Sequence, residues 1–468
     1  MKVISKHKEF ISIDYTHNEP FIFSIQGKLV TCQKLLRLVP GRRLVFSGQW
    51  MRHNVVIKIF LTDGKGRSVT RESQGFALLK EHGFLAPELL YAGAADVDQV
   101  NVVITEALDV TDDISSFSEQ RANKLLEAIQ KKIIKLHAHN IVQEDLHLDN
   151  FLVVDKAIYL IDTAQIKKET DKTAQLNNLA LFYAQFPLDR DELIDAMFTD
   201  YCQKRHWSQN KVLDDQLNAM IEARRAVRIE SYMKKTFRRS TEFAVLSRYN
   251  LKGVYRRCLA SESMRSLMRK PERFMRHNPT EILKKGNTCS VFKVQVDHEW
   301  VVVKRFNLKG VLHYMLHCWQ TSRAAKNWAY SNVLRLFGVP TPGAIGYAEK
   351  QMLGLNGRAY FFMQYEPGKM LLDYLEEGGI DEAVIDQAAA IFSDFKKLQL
   401  THGDTKATNY LVNDDKVSVI DLDSMRWFKN KDKWEKARAK DIARFRKNWL
   451  RSPRLLKAFD LALGRVRG

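Results

Sequence analysis

Segments that would place a protein in a membrane or outside the cell are lacking in this sequence. No run of about 18 apolar residues occurs, so the sequence predicts no membrane-spanning helix. The N-terminus lacks a continuous apolar segment with a small-residue cleavage site, and we therefore predict no signal peptide. The five cysteines are scattered and never form CxxC, which argues against structural zinc and favours a reducing compartment. These absences predict a cytoplasmic protein.

Acidic residues are also scarce relative to basic ones, and the positive charge is concentrated in two stretches. The formal net charge is +19, and residues 233–285 and 426–468 each carry 15 Lys and Arg against 4 Asp and Glu. Localised basic charge is typical of surfaces that bind nucleic acid, anionic lipid or polyanionic saccharide, while a solvated helical face is the alternative. Because no recognition module accompanies the charge, we do not expect nucleic-acid binding.

One stretch of polar residues has the spacing of a phosphotransferase loop. Residues 401–425 read THGDTKATNYLVNDDKVSVIDLDSM and contain Asp404, Asn409 and Asp421. In kinase-type loops an aspartate at the first position receives a hydroxyl proton, while the asparagine and the second aspartate hold magnesium. The same residue types recur at Asp145, Asn150 and Asp162. All three pairs are offset by about 259 positions, which is a whole-domain repeat. The sequence therefore predicts a tandem protein.

Each copy also has a lysine inside an apolar, strand-like run. Lys58 lies in NVVIKIF and Lys304 in WVVVKRF. An unpaired buried ammonium is costly, so a strand lysine either points to water or meets phosphates and a helix carboxylate. Glu72 is the candidate partner of Lys58, whereas the second copy has Asn327 at that position.

With both copies laid out, the sequence resembles the bacterial lipopolysaccharide core kinases, the Kdo and heptose kinases, which are distant relatives of protein kinases. The resemblance covers most of the chain and depends on VVVKRFN, SRAAKNW, FGVPTP, HGDTKATN and VIDLDS in the second copy. In the first copy it depends on VVIKIF, EDLHLDN and LIDTA. It implies an α+β fold of two tandem kinase-like domains, each with a β-rich lobe and an α-rich lobe. We expect the first domain over 1–235, a basic helical bridge over 236–278, and the second domain with a basic helical tail over 279–468.

The resemblance implies ATP and Mg²⁺ as cofactors and assigns roles in the second copy. Lys304 would bind the α- and β-phosphates, and Asp404 would orient and deprotonate a sugar hydroxyl. Lys406 would neutralise charge on the transferring group, and Asn409 and Asp421 would hold magnesium.

Two further residues of the second copy, Gly286 and Ser290, would cover the phosphates through backbone N–H groups. The remaining roles fall in the first copy to Lys58 with Glu72, Asp145, Asn150 and Asp162. We expect both copies to bind nucleotide, with the second the stronger candidate for full activity. His402 is expected to be a scaffold residue.

The sequence thus predicts an ATP-dependent kinase that phosphorylates a sugar of the lipopolysaccharide core, peripheral at the inner face of the inner membrane. Its expected partners are the lipid-linked core oligosaccharide and an anionic membrane surface, and other core-assembly enzymes are candidates. A nucleotide-binding pseudokinase scaffold and a kinase for another small molecule are the alternatives. A protein substrate is disfavoured because the activation-segment APE motif is not recognisable.

Overall fold

In the computed structural model, which describes residues 1–64, 66–109, 119–307, 321–352 and 355–465, the chain forms two units. The first unit comprises Met1–Phe186 and Arg190–Arg224, and the second comprises Pro187–Asp189 and Arg225–Gly468. No helix within the described residues is long and apolar enough to cross a bilayer.

The first unit begins with a seven-stranded sheet. Its strands are β1 (Lys2–Val3), β2 (Phe21–Ile25), β3 (Lys28–Val39), β4 (Arg43–Trp50), β5 (His53–Phe60), β6 (Leu89–Ala94) and β7 (Asn101–Glu106). The order is β1-β2-β3-β4-β5-β7-β6, and all pairs are antiparallel except β1 with β2. Strand β2 buries every second residue, as expected for a strand with one face on the core. Lys58 lies between Val45 of β4 and Val103 of β7.

The α-rich lobe of the first unit carries the predicted loop. The helices of the unit are α1 (His7–Ile11), α2 (Arg67–Glu81), α3 (Glu119–Ala138), α4 (Lys172–Tyr183), α5 (Asp191–Lys204) and α6 (Lys211–Lys235), which continues into the second unit. Its short strands are β8 (Ile141–Gln143), β9 (Phe151–Val154), β10 (Ala157–Leu160) and β11 (Ile166–Lys168). Helix α3 buries Leu126, Ile129, Ile133 and Leu136, whose spacing places them on one face of the helix.

The second unit has its own seven-stranded sheet. Its strands are β12 (Phe243–Arg248), β13 (Leu251–Arg256), β14 (Thr280–Lys284), β15 (Cys289–Val296), β16 (Glu299–Phe306), β17 (Ala344–Met352) and β18 (Leu355–Gln364). The order is β12-β13-β17-β18-β16-β15-β14, and every pair is antiparallel.

The segment 236–278 differs from the helical bridge expected there. It contains strands β12 and β13, joined by a two-residue turn, and β13 pairs with β17 in the sheet of the second unit. Only its later part is helical, as α7 (Glu262–Arg269) and α8 (Pro271–His277). Apolar residues of β12 and β13 are buried, and this burial favours the sheet over an exposed helix.

The remaining helices of the second unit are α9 (Arg323–Leu336), α10 (Leu371–Gly378), α11 (Glu382–Lys397), α12 (Lys431–Lys447) and α13 (Pro453–Arg465). Its short strands are β19 (Lys369–Met370), β20 (Leu400–Thr401), β21 (Tyr410–Asn413), β22 (Lys416–Val419) and β23 (Arg426–Trp427). Asp381 caps α11 by accepting from Val384 N–H. Trp434 and Trp449 are buried in the basic tail and pack it on the core. Each unit therefore has a β-rich and an α-rich lobe, which confirms the predicted fold class.

Candidate functional site

The loop that carries Asp404 is closed by its own asparagine. After β20, the chain passes Asp404 and makes a short 3-10 turn over Ala407–Asn409 before β21. Asn409 Nδ2 donates to the backbone oxygen of Asp404 at 2.8 Å. The backbone N–H of Ile420 donates to Asn409 O at 2.9 Å. These two bonds bring together the segments that hold the three predicted polar residues.

The first unit repeats this geometry. Asn150 Nδ2 donates to Asp145 O at 2.8 Å, and Ile161 N–H donates to Asn150 O at 2.9 Å. The offset seen in the sequence is therefore a structural repeat as well. The two candidate bases differ in exposure, because Asp145 is exposed and Asp404 is half-buried.

The second aspartate of each loop has a left-handed backbone. Asp162 has φ 59° and ψ 67°, and Asp421 has φ 61° and ψ 58°. This region is unfavourable for residues other than glycine, although aspartate tolerates it better than most. The same strained conformation in both copies directs each carboxylate towards the strand lysine, and strain of this kind is characteristic of functional sites.

In the first unit the predicted pair of Lys58 and Glu72 is confirmed. Lys58 Nζ lies 2.7 Å from Glu72 Oε1 and 3.3 Å from Asp162 Oδ1. Glu72 is fully buried. Thr163 Oγ1 donates to the backbone oxygen of Glu72 at 2.8 Å and fixes α2 against the loop. One lysine is thus held between a helix carboxylate and a loop carboxylate.

In the second unit Lys304 pairs with one carboxylate among the described residues, where Lys58 has two. Its Nζ lies 3.1 Å from Asp421 Oδ1, and its side chain is almost fully buried. Asn327, which replaces the helix glutamate, accepts from Leu422 N–H at 3.0 Å and donates to Arg323 O at 3.0 Å. The asparagine therefore joins α9 to the loop through the backbone, and Asp421 pairs with the lysine.

The charges around both loop aspartates keep them ionised. Burial alone would raise the pKa of Asp162, but the nearby charges of Lys58, Arg43 and Arg37 lower it below its usual value. The pKa of Asp421 is lowered in the same way, since Lys304 and Arg323 outweigh its burial. Both carboxylates are therefore available to a cation at neutral pH.

His402 is a scaffold residue, as predicted. It is fully buried, and burial lowers its pKa, so the ring stays neutral. Its Nε2 donates to Ile420 O at 3.0 Å and Nδ1 accepts from Asp404 N–H at 3.3 Å. In the first unit Gln143 fills this position and donates from Nε2 to the backbone oxygen of Asp162 at 3.2 Å.

Two residues of α12 that sequence reasoning missed hold the Asp404 loop. The carboxylate of Asp441 accepts from His402 N–H at 2.7 Å and from Gly403 N–H at 3.1 Å. Arg444 donates to Gly403 O and lies 3.5 Å from Asp404 Oδ1. Asp441 is one of three acidic residues of α12, and the sequence gives no signal that separates it from Asp432 and Glu435.

The other predicted residues have mixed placements. Lys406 is exposed, and its Nζ lies 3.2 Å from Asp404 Oδ2. Gly286 lies in the turn between β14 and β15, where a covering loop is expected. Ser290 lies inside β15 instead, opposite Arg305 of β16, and is buried. Ser290 therefore belongs to a strand, whereas Gly286 belongs to the turn in which a phosphate-covering loop is expected.

The oxygen ligands of each loop fit magnesium. Within the described residues, no group of three or more His, Cys, Asp and Glu side chains converges on one point. The candidate ligands of each unit are one amide and one carboxylate. Asp421 Oδ1 is buried, and the ammonium group of Lys304 lies 3.1 Å from it. Mg²⁺ commonly binds one or two protein oxygens together with substrate phosphates.

Comparison with known proteins gives one family. A sequence model of the lipopolysaccharide kinase (Kdo/WaaP) family matches residues 49–213 and 284–458, which together are most of the chain. Each match contains one complete set of strand lysine, loop aspartate, asparagine and second aspartate. A solved structure described as WaaP in complex with acyl carrier protein is similar at 18% identity and a TM-score of 0.33, over 44% of this chain and 89% of that chain. No curated protein matches.

Proposed function

Because the chain belongs to the lipopolysaccharide kinase (Kdo/WaaP) family and is a phosphotransferase, we propose that it transfers the γ-phosphoryl group of ATP to a sugar hydroxyl of the lipopolysaccharide core. The observation that carries this proposal is the contact between strand lysine and loop aspartate, present at 3.3 Å in the first unit and 3.1 Å in the second. A lysine held in this way is positioned to meet nucleotide phosphates.

Each candidate site residue has a separate proposed role in phosphoryl transfer. Lys304 and Lys58 would bind the α- and β-phosphates, and Gly286 would cover them in the second unit. The acceptor hydroxyl gives its proton to Asp404 or Asp145 as its oxygen attacks the γ-phosphorus. The bond from that phosphorus to the bridging oxygen breaks, and ADP leaves. Catalysis of this kind depends on positioning and charge neutralisation.

Magnesium would be held by Asn409 and Asp421 in the second unit and by Asn150 and Asp162 in the first. When bound, the ion supplies positive charge to the phosphates. Lys406 is exposed beside Asp404, so it can reach a transferring group without displacing a buried contact. In the first unit the exposed His147 takes its place.

We propose that the protein acts at the inner face of the inner membrane. A basic surface of the second unit supports this location. We define the α7–α8 surface as Arg248, Arg269, Lys270, Arg273, Arg276 and Lys350, which line two adjoining clefts. Tyr249 is fully exposed in the turn next to Arg248. Basic side chains around an exposed aromatic suit an anionic lipid surface. Vesicles of phosphatidylglycerol should therefore bind the protein, and K270E/R273E should weaken this binding without affecting the weak binding to phosphatidylcholine.

The test of the kinase proposal is phosphoryl transfer by the purified protein. Core lipopolysaccharide from cells that lack the gene should accept labelled phosphate from γ-labelled ATP in the presence of Mg²⁺. The double variant D145N/D404N should retain nucleotide binding and lose transfer, because the bases are removed while the lysines stay. Nucleotide binding without transfer by the wild-type protein, on any core preparation, would instead favour the scaffold alternative.

A further inference from the structure

A basic cleft adjoins the candidate base of the second unit. The cleft has a volume of about 540 Å³, and the catalytic loop contributes Thr401 and Gly403 to its lining. Its basic residues, which define the α12 cleft, are Arg323, Lys326, Arg426, Lys433, Lys436, Lys440 and Arg444. Only two carboxylates, those of Asp423 and Asp441, line it as well. The cleft therefore has a strong excess of positive charge.

Helix α12 presents most of this charge as one row. Lys433, Lys436, Lys440 and Arg444 are spaced by three or four residues, so they lie on one face of the helix. The opposite face is buried through Trp434, Ile442 and Phe445. The helix is thus fixed to the core while its basic face is directed into the cleft.

The two carboxylates of the cleft are already engaged. Asp423 pairs with Arg323, whose Nε lies 2.6 Å from Oδ2, and Asp441 accepts from the loop backbone. In contrast, five cations form no ion pair with any residue that the structure describes. These are Lys326, Arg426, Lys433, Lys436 and Lys440. Like charges that converge without partners repel one another, and an anion would relieve this repulsion.

The cleft is continuous with the reaction centre. Arg444 belongs to its lining and lies 3.5 Å from Asp404 Oδ1. Gly403, which precedes the base, belongs to the lining too. An anionic group bound here would therefore be part of the molecule whose hydroxyl reaches Asp404.

The first unit provides an internal comparison, because α4 and α12 begin at the same offset as the two loops. The row of cations on α12 corresponds to Ala174, Asn177 and Leu181 of α4 and to Gln185, which lies just after this helix. Arg426 corresponds to Lys167, which is neutralised by Glu144 at 2.8 Å and Glu169 at 3.6 Å. These four positions of the first unit thus carry no cation, and Lys167 beside them is paired. The nearby cations are Lys172 at the start of α4 and Arg224, whose Nε donates to Asn177 Oδ1 at 3.1 Å.

From this difference we propose that the α12 cleft binds an anionic group, phosphate or carboxylate, that the acceptor of the second unit already carries. The first unit acts on an acceptor that lacks this group near the reacting hydroxyl. The reaction that installs the anionic group must then precede transfer by the second unit. This inference rests on the proposed kinase function and specifies its substrate class.

The test uses full-length protein with Asp145→Ala, so that transfer reports the second unit. The acceptor is core oligosaccharide without its lipid, from cells that lack the gene. It is used as isolated, or after removal of phosphate with hydrofluoric acid and reduction of its carboxylates. K436Q/K440Q removes two cations of the cleft. The matched control, K431Q/K447Q, removes two exposed lysines of α12 that do not line the cleft.

For the unmodified acceptor, K436Q/K440Q should raise KM by about 10-fold, because two charge-assisted contacts are lost, and leave kcat within about twofold. The KM for ATP should not change. The control should match the Asp145→Ala parent, and the neutralised acceptor should have a high KM that neither double variant alters.

Equal KM values in K436Q/K440Q and K431Q/K447Q, with transfer intact, would overturn this inference and leave the kinase function standing. A raised KM for ATP would also overturn it, since the cleft would then bind nucleotide phosphates. Absence of transfer by the Asp145→Ala parent on every acceptor would refute the kinase function of the second unit, and the inference with it.

Discussion

At the scale of single residues, the two strand lysines face different surroundings. Lys58 lies between Glu72 and Asp162, whereas Lys304 pairs with Asp421 and has Asn327 in the place of the glutamate. Both lysines and both loop aspartates were identified from their types and spacing, since phosphoryl transfer requires them in this order. The partner of Lys304 was not identified from the sequence, because the usual helix glutamate is missing and the spacing of residues along the chain gives no distances between side chains.

Glu72→Gln should impair the first unit by releasing Lys58 from the helix. In an Asp404→Ala background, where only the first unit can act, kcat/KM for ATP should fall by at least about 10-fold, or about 1.4 kcal/mol of transition-state stabilisation. The pair is buried, so loss of one partner is costly. Steady-state kinetics with varied ATP would measure this.

The matched control is Glu81→Gln, an exposed glutamate at the end of the same helix. It should keep the parental kcat/KM. Equal effects of the two substitutions would mean that the buried contact has no part in nucleotide binding.

His137 should make the first unit sensitive to acid. Burial lowers its pKa from 6.5 to about 4 and outweighs the hydrogen bond with Asn178, which raises it. The unfolded chain therefore binds a proton more readily than the folded one between these values. Its contribution to stability is complete above about pH 6.5 and decreases as the pH falls, by about 2 kcal/mol at about pH 5.

Urea unfolding at about pH 7 and about pH 5 would measure this dependence. In His137→Gln the decrease in unfolding free energy between the two pH values should be smaller by the contribution of the histidine. His53 is exposed, so His53→Gln should keep the wild-type pH dependence. An unchanged pH dependence in His137→Gln would show that the buried ring does not determine it.

At the scale of elements, α2 approaches the Asp162 loop closely because one residue lacks a side chain. A Cβ at Gly75 would lie 2.1 Å from Thr163 O. The corresponding residue of α9 is Tyr330, whose hydroxyl accepts from Trp427 N–H at 3.1 Å. The two helices therefore contact their loops differently, although both follow a strand with a lysine.

Gly75→Ala should push α2 away from the loop. We expect a loss of about 1–3 kcal/mol in the free energy of unfolding of the first unit, since the obstacle is backbone and cannot rotate aside. It should also reduce nucleotide binding by this unit. Chemical denaturation and binding of a fluorescent ATP analogue would measure the two effects.

Gln74→Ala is the control, because Gln74 is exposed on the same helix. Its unfolding free energy should stay within about 0.5 kcal/mol of wild type. If Gly75→Ala were as stable as this control, the close approach of helix and loop would be refuted.

Several elements were predictable from the sequence and others were not. Helices α3 and α11 are indicated by their apolar spacing, because burial of one face gives a helix its sequence periodicity. The β12–β13 hairpin was missed because it lies in a strongly basic segment with Gly253 as its only glycine. Its strands are stabilised by β17, which lies far along the chain, so no local signal reveals the pairing.

At the scale of the whole molecule, two copies of one kinase-like unit have diverged in the surface beside the base. The repeat, the fold class and the central residues were readable from the sequence, because the same constraints act twice. The sequence did not reveal the roles of Asp441 and Arg444 or the α12 cleft. They belong to a helix beyond the motif, and the positive charge of that helix is equally typical of a solvated face. The structure distinguishes a binding cleft from a solvated helical face, because it shows which of the charged side chains form ion pairs.

The central claim, that this chain phosphorylates the lipopolysaccharide core, is tested most directly by the phosphate content of core oligosaccharide. Mass spectrometry would compare cells that carry Asp404→Ala, Asp145→Ala or both with wild-type cells. The account predicts loss of a phosphate at a different position with each single variant, and of both with the double variant. Full phosphate content in the double variant, at wild-type protein levels, would contradict it.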